Sequence, residues 1–207
     1  MRVRRTEHGF TLIEVLITMA LMGVVSLALA DLVTTALHQM SATSDRLDMA
    51  HDAQLGASYF SRDVAGVGLR SYDAVALDGS LPFQPSVQLG AAFTAGGITC
   101  GPLPDAAVRL LSDYWDTSVV PAVRRTAVVA YYLTPGAELH RARCLGSSTP
   151  TSDIRVASNV KPGSLAVTCS SACDSAAVPA GITLRLVMTK PTTGDYEVLL
   201  SGLRRQS

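Results

Sequence analysis

Glu14 is the residue of this sequence that ordinary structural roles explain least well. It lies near the start of a largely apolar stretch, residues 10–37, in which Asp31 is the only other charged residue. A carboxylate inside a membrane helix costs at least about 2.5 kcal/mol, so it is presumed to be functional. A fixed negative charge in such a medium gains strongly from a positive partner. We therefore take Glu14 as the first candidate functional residue.

The cysteines form the second candidate set: Cys100, Cys144, Cys169 and Cys173. An even number of cysteines in an exported domain predicts two disulfides. Of the three pairings, we expect Cys169 with Cys173 locally and Cys100 with Cys144 across a longer loop. Zinc binding by His140 with Cys144, Cys169 and Cys173 is the alternative, because the spacings occur in structural zinc sites. That site would leave Cys100 without a partner, so we expect no metal and no other cofactor.

No pattern in the sequence predicts catalysis. Asp113 and Asp116 flank Tyr114 and Trp115 on an expected loop, where we interpret them as solvated acids. The sequence contains no nucleophile elbow, phosphate-binding loop or other catalytic signature. We expect that the protein is not an enzyme.

The elements that must position Glu14 begin with a basic leader, residues 1–9. Arg2, Arg4 and Arg5 outnumber Glu7 there, and basic residues before an apolar span keep that end in the cytoplasm. Hydrophobic residues make up 48% of the chain and charged residues 16%, and the apolar excess lies near the N-terminus. The formal net charge of zero argues against a nucleic-acid binder with a basic face.

The apolar stretch is the expected membrane span. Its uninterrupted part, residues 15–30, has 16 residues, whereas roughly 20 are needed to cross the hydrocarbon core. Residues 10–37 are long enough if Glu14 is accommodated. A secretory signal peptide cut after Ala30 is the alternative, and it would release a soluble periplasmic binding protein. Glu14 and the length of the stretch argue against that alternative.

The helical pattern continues beyond the membrane span. Residues 38–68 are expected to form an amphipathic continuation of the helix that docks against a sheet. The apolar stripe consists of Ala36, Met40, Leu47, Ala50, Ala57, Phe60, Val64 and Val67. The other face is expected to carry Asp45, Arg46, Asp48, Asp52, Arg62 and Asp63.

Residues 69–207 are expected to form an extracytoplasmic globular head rich in β-strands. Residues 71–105, rich in Gly, Pro and Ser, predict an irregular loop. Strands are predicted at 107–111, 127–133, 139–143, 154–157, 165–169, 182–189 and 196–200. Within one of them, alternation predicts a buried face formed by Ile182, Leu184, Leu186 and Met188. An antiparallel sheet that covers an amphipathic helix is an α+β architecture.

The segment Gly9-Phe10-Thr11-Leu12-Ile13-Glu14-Val15-Leu16 resembles the processing motif of type IV prepilins. In that family, a membrane prepilin peptidase cleaves after the glycine on the cytoplasmic side and methylates the new amino group. The resemblance implies a cut between Gly9 and Phe10. It also implies the type IV pilin fold, in which a long N-terminal transmembrane and amphipathic helix packs on a C-terminal antiparallel β-sheet head.

Processing would give Phe10 a positive amine one helical turn from Glu14. The carboxylate of one subunit can pair with the amine of its neighbour, and this pairing favours addition of subunits at a fixed axial stagger. We interpret Phe10 and Glu14 as assembly residues. The implied partners are the prepilin peptidase, other pilins or minor pilins of the filament, the inner-membrane assembly platform and membrane lipid.

Weaker features favour a minor pilin, which primes, caps or is incorporated into a type IV pilus for adhesion, motility or DNA uptake. Residues 62–68 and the C-terminal half resemble large minor pilins and also the J-type minor pseudopilin of type II secretion, which is the alternative. Many major pilins carry a proline where this chain has Asp31, and many close a large C-terminal loop by a disulfide. Here Cys169 and Cys173 enclose only three residues.

The expected location is the inner membrane, as a single-pass protein with a cytoplasmic N-terminus, and then the pilus at the cell surface or the periplasm. Intrinsic DNA binding is not favoured, because loss of the leader removes three arginines and one glutamate and leaves a net acidic chain. The arginines that could cluster are Arg124, Arg125, Arg141, Arg143, Arg204 and Arg205. We interpret them as scattered and solvated.

Overall fold

The fold is α+β, with one long helix followed by antiparallel strands, as predicted. The computed structural model describes residues 11–90, 97–102 and 106–206. The helix α1 (Leu12–Ala65) is continuous over 54 residues. The chain divides into two compact units after Ser44, so α1 contributes to both units.

The first unit contains the apolar part of α1. The helix begins where the carbonyl of Thr11 accepts the backbone amides of Glu14 and Val15 at 3.1 and 3.3 Å. All side chains of residues 11–40 are exposed. By length and composition α1 could cross a membrane, with a mean hydropathy of 2.4 over an 18-residue window. An exposed apolar helix with all its backbone hydrogen bonds made internally suits a lipid environment.

The second unit contains three antiparallel sheets. The described strands are β1 (Leu69–Arg70), β2 (Phe83–Gln84), β3 (Val87–Leu89), β4 (Ala106–Asp116), β5 (Val123–Leu133), β6 (Leu139–Leu145), β7 (Pro150–Ala157), β8 (Ala166–Cys169), β9 (Gly181–Lys190) and β10 (Gly194–Leu203). A five-stranded sheet has the order β3-β4-β5-β6-β7, a three-stranded sheet has the order β10-β9-β8, and β1 pairs with β2. All seven predicted strands are therefore present, several of them longer than predicted.

The main hydrophobic core joins the second part of α1 to both larger sheets. Met49, Phe60 and Val64 are its buried apolar side chains on α1. The rings of Phe60 and Tyr131 meet edge to face, with centroids 5.3 Å apart. The alternation predicted for β9 is confirmed, since at most 1% of each side chain is exposed in Ile182, Leu184, Leu186 and Met188.

Two glycines allow α1 and β10 to approach closely. A Cβ atom added to Gly202 would lie 2.6 Å from Cβ of Val64 and 3.0 Å from Cα of Ser61. A Cβ atom on Gly56 would lie 3.3 Å from a methyl of Leu200. The first distance is too short for any side chain, so Gly202 sets the separation between helix and strand.

A second hydrophobic core lies on the other face of the five-stranded sheet. On β5, Val128 and Ala130 belong to this second core, whereas Val129 and Tyr131 belong to the main core. Because successive side chains of a strand point to opposite faces, the sheet is buried on both sides. Residues 97–102, which precede β4, cover this second face, and Cys100 is fully buried there. We call these residues the covering segment.

A disulfide and a buried arginine hold this covering segment. Cys100 and Cys144 lie at disulfide distance, with Cα atoms 5.8 Å apart. The Arg109 side chain is fully buried and donates hydrogen bonds to the carbonyls of Cys100, Gly90 and Pro102 at 2.8, 2.6 and 2.9 Å. The expectation of a loop without strands over residues 71–105 is therefore wrong in part: β2 and β3 lie within it, and its last described residues complete a core.

The apolar stripe predicted along α1 is wrong over its first half. The side chains of Met40 and Leu47 are 69% and 66% exposed, and Ala36 is exposed as well. Burial on α1 begins at Met49, while the stripe residues from Phe60 onward are buried as expected. The face of α1 that docks begins at Met49, keeps the predicted stripe from Phe60 onward, and includes acidic residues.

The charged face predicted for α1 is wrong in part: Arg46, Asp48 and Arg62 are exposed as expected, whereas three of its acids lie at the contact with the head. Asp52 accepts hydrogen bonds from the backbone amide and the hydroxyl of Ser158 at 2.8 and 2.7 Å. Asp45 and Asp48 accept from the Lys190 ammonium at 2.9 and 3.0 Å. These carboxylates fasten the helix to the head, where a purely apolar stripe was expected.

The contact at Gly202 yields a first prediction. Gly202→Ala should destabilise the head by about 1–3 kcal/mol, since the added methyl overlaps Val64 and the strand must move away. Thermal unfolding of the full chain in detergent micelles measures this as a fall of several degrees. Gly136→Ala is the matched control, because its nearest neighbouring atom would lie 3.6 Å from the new methyl. Equal melting temperatures for both variants would contradict the close approach.

The two cysteine pairs yield a second prediction. Cys169 and Cys173 also lie at disulfide distance, and the pairs are separated by 44 and 4 residues in the sequence. By loop entropy, replacing Cys100 and Cys144 by serine should cost about 4 kcal/mol, and replacing Cys169 and Cys173 about 2 kcal/mol.

Non-reducing peptide mapping establishes the pairing first, and chemical denaturation then compares the two double variants. The Cys100/Cys144 variant should also expose the covering segment to protease. Free thiols in the wild-type protein, or equal losses of stability in the two variants, would contradict this account.

Candidate functional site

Glu14 lies in the first turn of α1 with an exposed side chain. A carboxylate at this position also interacts favourably with the positive end of the helix dipole. Among the described residues, no hydrogen bond or ion pair engages its side chain. The predicted processing residues Gly9 and Phe10 lie outside the described residues. The pairing of a Phe10 amine with Glu14 therefore stays a prediction.

A buried charged cluster fastens α1 to the five-stranded sheet. Arg141 on β6 donates through Nε and Nη2 to the two carboxylate oxygens of Asp63, at 2.6 Å each. The Tyr131 hydroxyl donates to Oδ2 of Asp63, also at 2.6 Å. The side chains of Arg141 and Asp63 are only 7% and 6% exposed. This bidentate arrangement satisfies both oxygens of a carboxylate that has lost its water.

The electrostatics of this cluster keep Arg141 charged and the Tyr131 phenol protonated. Burial, together with the charge of Asp63, raises the pKa of the Tyr131 phenol well above its ordinary value, so the phenol remains a donor. The hydrogen bonds that Arg141 donates to the Asp63 carboxylate raise the pKa of Arg141. The sequence interpretation of Asp63 and Arg141 as exposed charges is wrong. Their separation of 78 residues left no local signal that could have revealed the pair.

A second polar contact joins α1 to the turn between β9 and β10. Lys190 binds Asp45 and Asp48, and the Thr192 hydroxyl donates to Asp45. The Thr192 hydroxyl and the Lys190 ammonium lower the pKa of Asp45, and the two carboxylates raise the pKa of Lys190. The turn is therefore held to the helix by charge-assisted hydrogen bonds.

Besides Arg141, two more of the arginines considered for DNA binding are neutralised by acids. Arg124 pairs with Asp113 at 2.8 Å, and Arg125 pairs with Asp116 at 2.9 Å. Both acids lie on β4, so the loop predicted for them is wrong. Hydrogen bonds from Ser118, with a further one from Arg125, lower the pKa of Asp116. These residues form structural ion pairs at one end of the sheet.

The structure does not bring the proposed zinc ligands together. Nδ1 of His140 lies 2.9 Å from a carboxylate oxygen of Asp153, while Cys144 is paired with Cys100. Cys169 is paired with Cys173. Within residues 11–90, 97–102 and 106–206, no group of three or more His, Cys, Asp or Glu side chains is arranged to hold a metal ion.

The comparisons with known proteins identify the N-terminal segment. Residues 4–30 match the family model of the prokaryotic N-terminal methylation motif. No curated protein and no solved structure matches the chain. The matched residues include Gly9, Phe10 and Glu14, and the α+β architecture of a long apolar helix with antiparallel sheets is that of the type IV pilin fold. The chain therefore carries the prokaryotic N-terminal methylation motif, and its motif and architecture together are consistent with a type IV prepilin-like protein.

Proposed function

We propose that the protein is a minor pilin, a structural subunit that primes, caps or is incorporated into a type IV pilus. The observation that carries the proposal is the methylation motif at residues 4–30, followed by an exposed apolar helix with Glu14 in its first turn. Such a segment serves assembly in a membrane and in a filament, and it has no use in a soluble enzyme.

Processing divides the chain into parts with separate tasks. Prepilin peptidase hydrolyses the peptide bond between Gly9 and Phe10, which releases the leader, residues 1–9, and the new amino group is methylated. Residues 10–37 form the transmembrane and assembly helix, and the segment 38–68 continues it as far as Ala65. Residues 69–207 form the head outside the cytoplasm. The subunit waits in the inner membrane until the assembly platform extracts it.

Glu14 selects the neighbouring subunit by charge. After processing, the Phe10 amine of one subunit and the Glu14 carboxylate of the next are both in surroundings of low dielectric constant. Each charge alone is costly there, and the pair costs much less. Pairing therefore favours one axial position of the incoming subunit, and it requires the leader to have been removed.

A minor pseudopilin of the J type in a type II secretion system is the second candidate. It is supported by the same motif, and by two departures from the pattern of major pilins: Asp31 in the apolar stretch and the short Cys169–Cys173 loop. Deletion of the chain separates the candidates. Loss of surface pili and twitching indicates a pilin, and loss of exoprotein secretion with intact pili indicates a pseudopilin.

Replacement of Glu14 tests the assembly role. Glu14→Leu should remain in the membrane at least as well as wild type, because a charge is removed from the apolar span. Its recovery in sheared filaments should fall by tenfold or more, because the amine of the neighbour loses its counter-charge. Asp31→Leu is the matched control: it removes the other carboxylate of the stretch and should assemble normally. Normal assembly of Glu14→Leu would refute charge pairing.

The N-terminus of the mature protein tests the processing step. Mass spectrometry should find N-methylated Phe10 as the first residue. Gly9→Leu should accumulate as an uncut precursor in the membrane, since a bulky side chain at the cleavage site blocks access of the peptidase. A mature protein that begins at Asp31 would establish the signal-peptide alternative instead.

A further inference from the structure

β10 is an edge strand, and its outer side is unpaired in the described part of the chain. The three-stranded sheet has the order β10-β9-β8, so β9 is the one described strand that pairs with β10. In an antiparallel pair, only alternate residues of a strand direct their backbone N–H and C=O groups to the partner. The backbone groups of the remaining β10 residues point outward. Among the described residues, no backbone hydrogen bond from outside β9 reaches residues 195–203.

The other edges of the two larger sheets are protected against pairing with a further strand. β3 has three residues and β8 has four, which leaves little backbone to pair. β7 begins with Pro150, and register shifts interrupt its pairing with β6 at two places. Short edge strands, proline and bulges are the means by which proteins prevent edge-to-edge association.

β10 has none of these protections. Its ten residues pair one to one with β9 without a register shift. The strand contains no proline, lysine or arginine, and residues 198–203 carry no charge. The side chains of Leu199 and Leu203 are 60% and 73% exposed, on the face turned away from α1. A long, regular and partly apolar edge of this kind is a template for another strand.

A groove beside β10 has space for side chains of an added strand. It lies between α1 and the start of β10, has a volume of about 330 Å³, and is lined by Arg46, Met49, Ala50, Thr193, Asp195 and Tyr196. Every second side chain of an added strand would point toward α1, as Val198 and Leu200 of β10 do. Recognition by strand addition combines backbone hydrogen bonds with pockets for alternate side chains.

The charged side chains of β10 already have partners within the head. Asp195 pairs with Lys161 at 3.0 Å, and Glu197 pairs with Arg185 at 2.9 Å. A charged segment would therefore find no unpaired opposite charge on the strand itself. The edge suits an uncharged segment with apolar side chains at alternate positions.

The direction of α1 argues against a second copy of β10 as the added strand. α1 and β10 run in the same direction, because Asp45 binds Thr192 just before β10 and Val64 lies against Gly202 near its end. Antiparallel pairing of two β10 edges would therefore point the two α1 helices in opposite directions. Subunits anchored in one membrane have their helices in the same direction, so the added strand belongs to a different segment.

We propose that the free edge of β10 binds an extended, uncharged segment of a partner protein, which adds to the three-stranded sheet as a fourth strand. The backbones supply the hydrogen bonds. Apolar side chains at alternate positions contact Leu199 on one face and the groove beside Tyr196 on the other. This inference does not depend on the choice between a pilin and a pseudopilin.

Binding of a model strand tests the proposal. The probe is a capped, fluorescently labelled heptapeptide of alternating valine and threonine, used below the concentration at which it self-associates. The protein is the full chain in detergent micelles. We expect saturable binding, with slower hydrogen exchange of the β10 backbone amides and no change in β7. The same peptide with N-methylated backbone amides should bind at least about tenfold more weakly, because it cannot donate to the strand.

Variants separate binding at this edge from effects on folding. Leu199→Glu should weaken peptide binding by about tenfold or more, because the added strand would have to desolvate a charge. Arg185 lies opposite residue 199, so the new carboxylate has a partner and the melting temperature should change little. Thr168→Glu is the matched control: Thr168 is exposed on β8, at the other edge of the same sheet, and its replacement should leave binding unchanged.

Several results would overturn the proposal. These are absence of peptide binding, equal binding of the N-methylated peptide, unchanged binding by Leu199→Glu, or exchange protection in β7 instead of β10. Dimers of the full chain that Leu199→Glu dissociates would assign the edge to a second copy instead of a partner protein. These outcomes are independent of the proposed function, which fails instead if the protein is neither cut before Phe10 nor recovered in sheared filaments or secretion complexes.

Discussion

The bidentate pair between Asp63 and Arg141 fixes the rotation of α1 against the five-stranded sheet, and much of the head depends on that rotation. With the pair formed, Phe60 meets the edge of Tyr131 and Val64 faces Gly202. Apolar contacts alone tolerate sliding and rotation, whereas a buried carboxylate left without its arginine costs about 3–5 kcal/mol. One polar contact therefore selects a single arrangement from the many that burial alone would accept.

The same helix must satisfy two different surroundings. Its residues up to Met40 are exposed and mostly apolar, whereas from Asp45 onward it uses carboxylates as well as apolar side chains to bind the head. A continuous apolar stripe would serve neither part well. It would leave the first part without a distinct assembly signal, and it would allow the second part to dock in several registers.

Short-range sequence patterns predicted the features of the structure that depend on neighbouring residues alone. Glu14 was recognisable because a charge within an apolar run is visible in a few residues, and β9 was recognisable because its period of two is confined to one strand. The partners of Asp63 and Arg109 were not predictable in this way. The partner of Asp63 lies 78 residues away, and Arg109 binds backbone carbonyls, which leave no pattern in the sequence. In the sequence, both residues look the same as charges on a solvated surface. The position of the covering segment was not predicted, because contacts with Arg109 and Cys144 hold it in place. Its own sequence has no repeating pattern that would indicate this position.

The final strand has a consequence for the order of events during synthesis. β10 packs on α1, and the turn that precedes it binds Asp45 through Lys190, 145 residues further along the chain. The ribosome therefore finishes the helix long before β10 exists, and Val64 lacks its contact with Gly202 until that strand arrives. A polypeptide truncated before β10 would keep this part of α1 accessible to chaperones and proteases. Quality control can therefore distinguish a subunit that contains β10 from a fragment that lacks it.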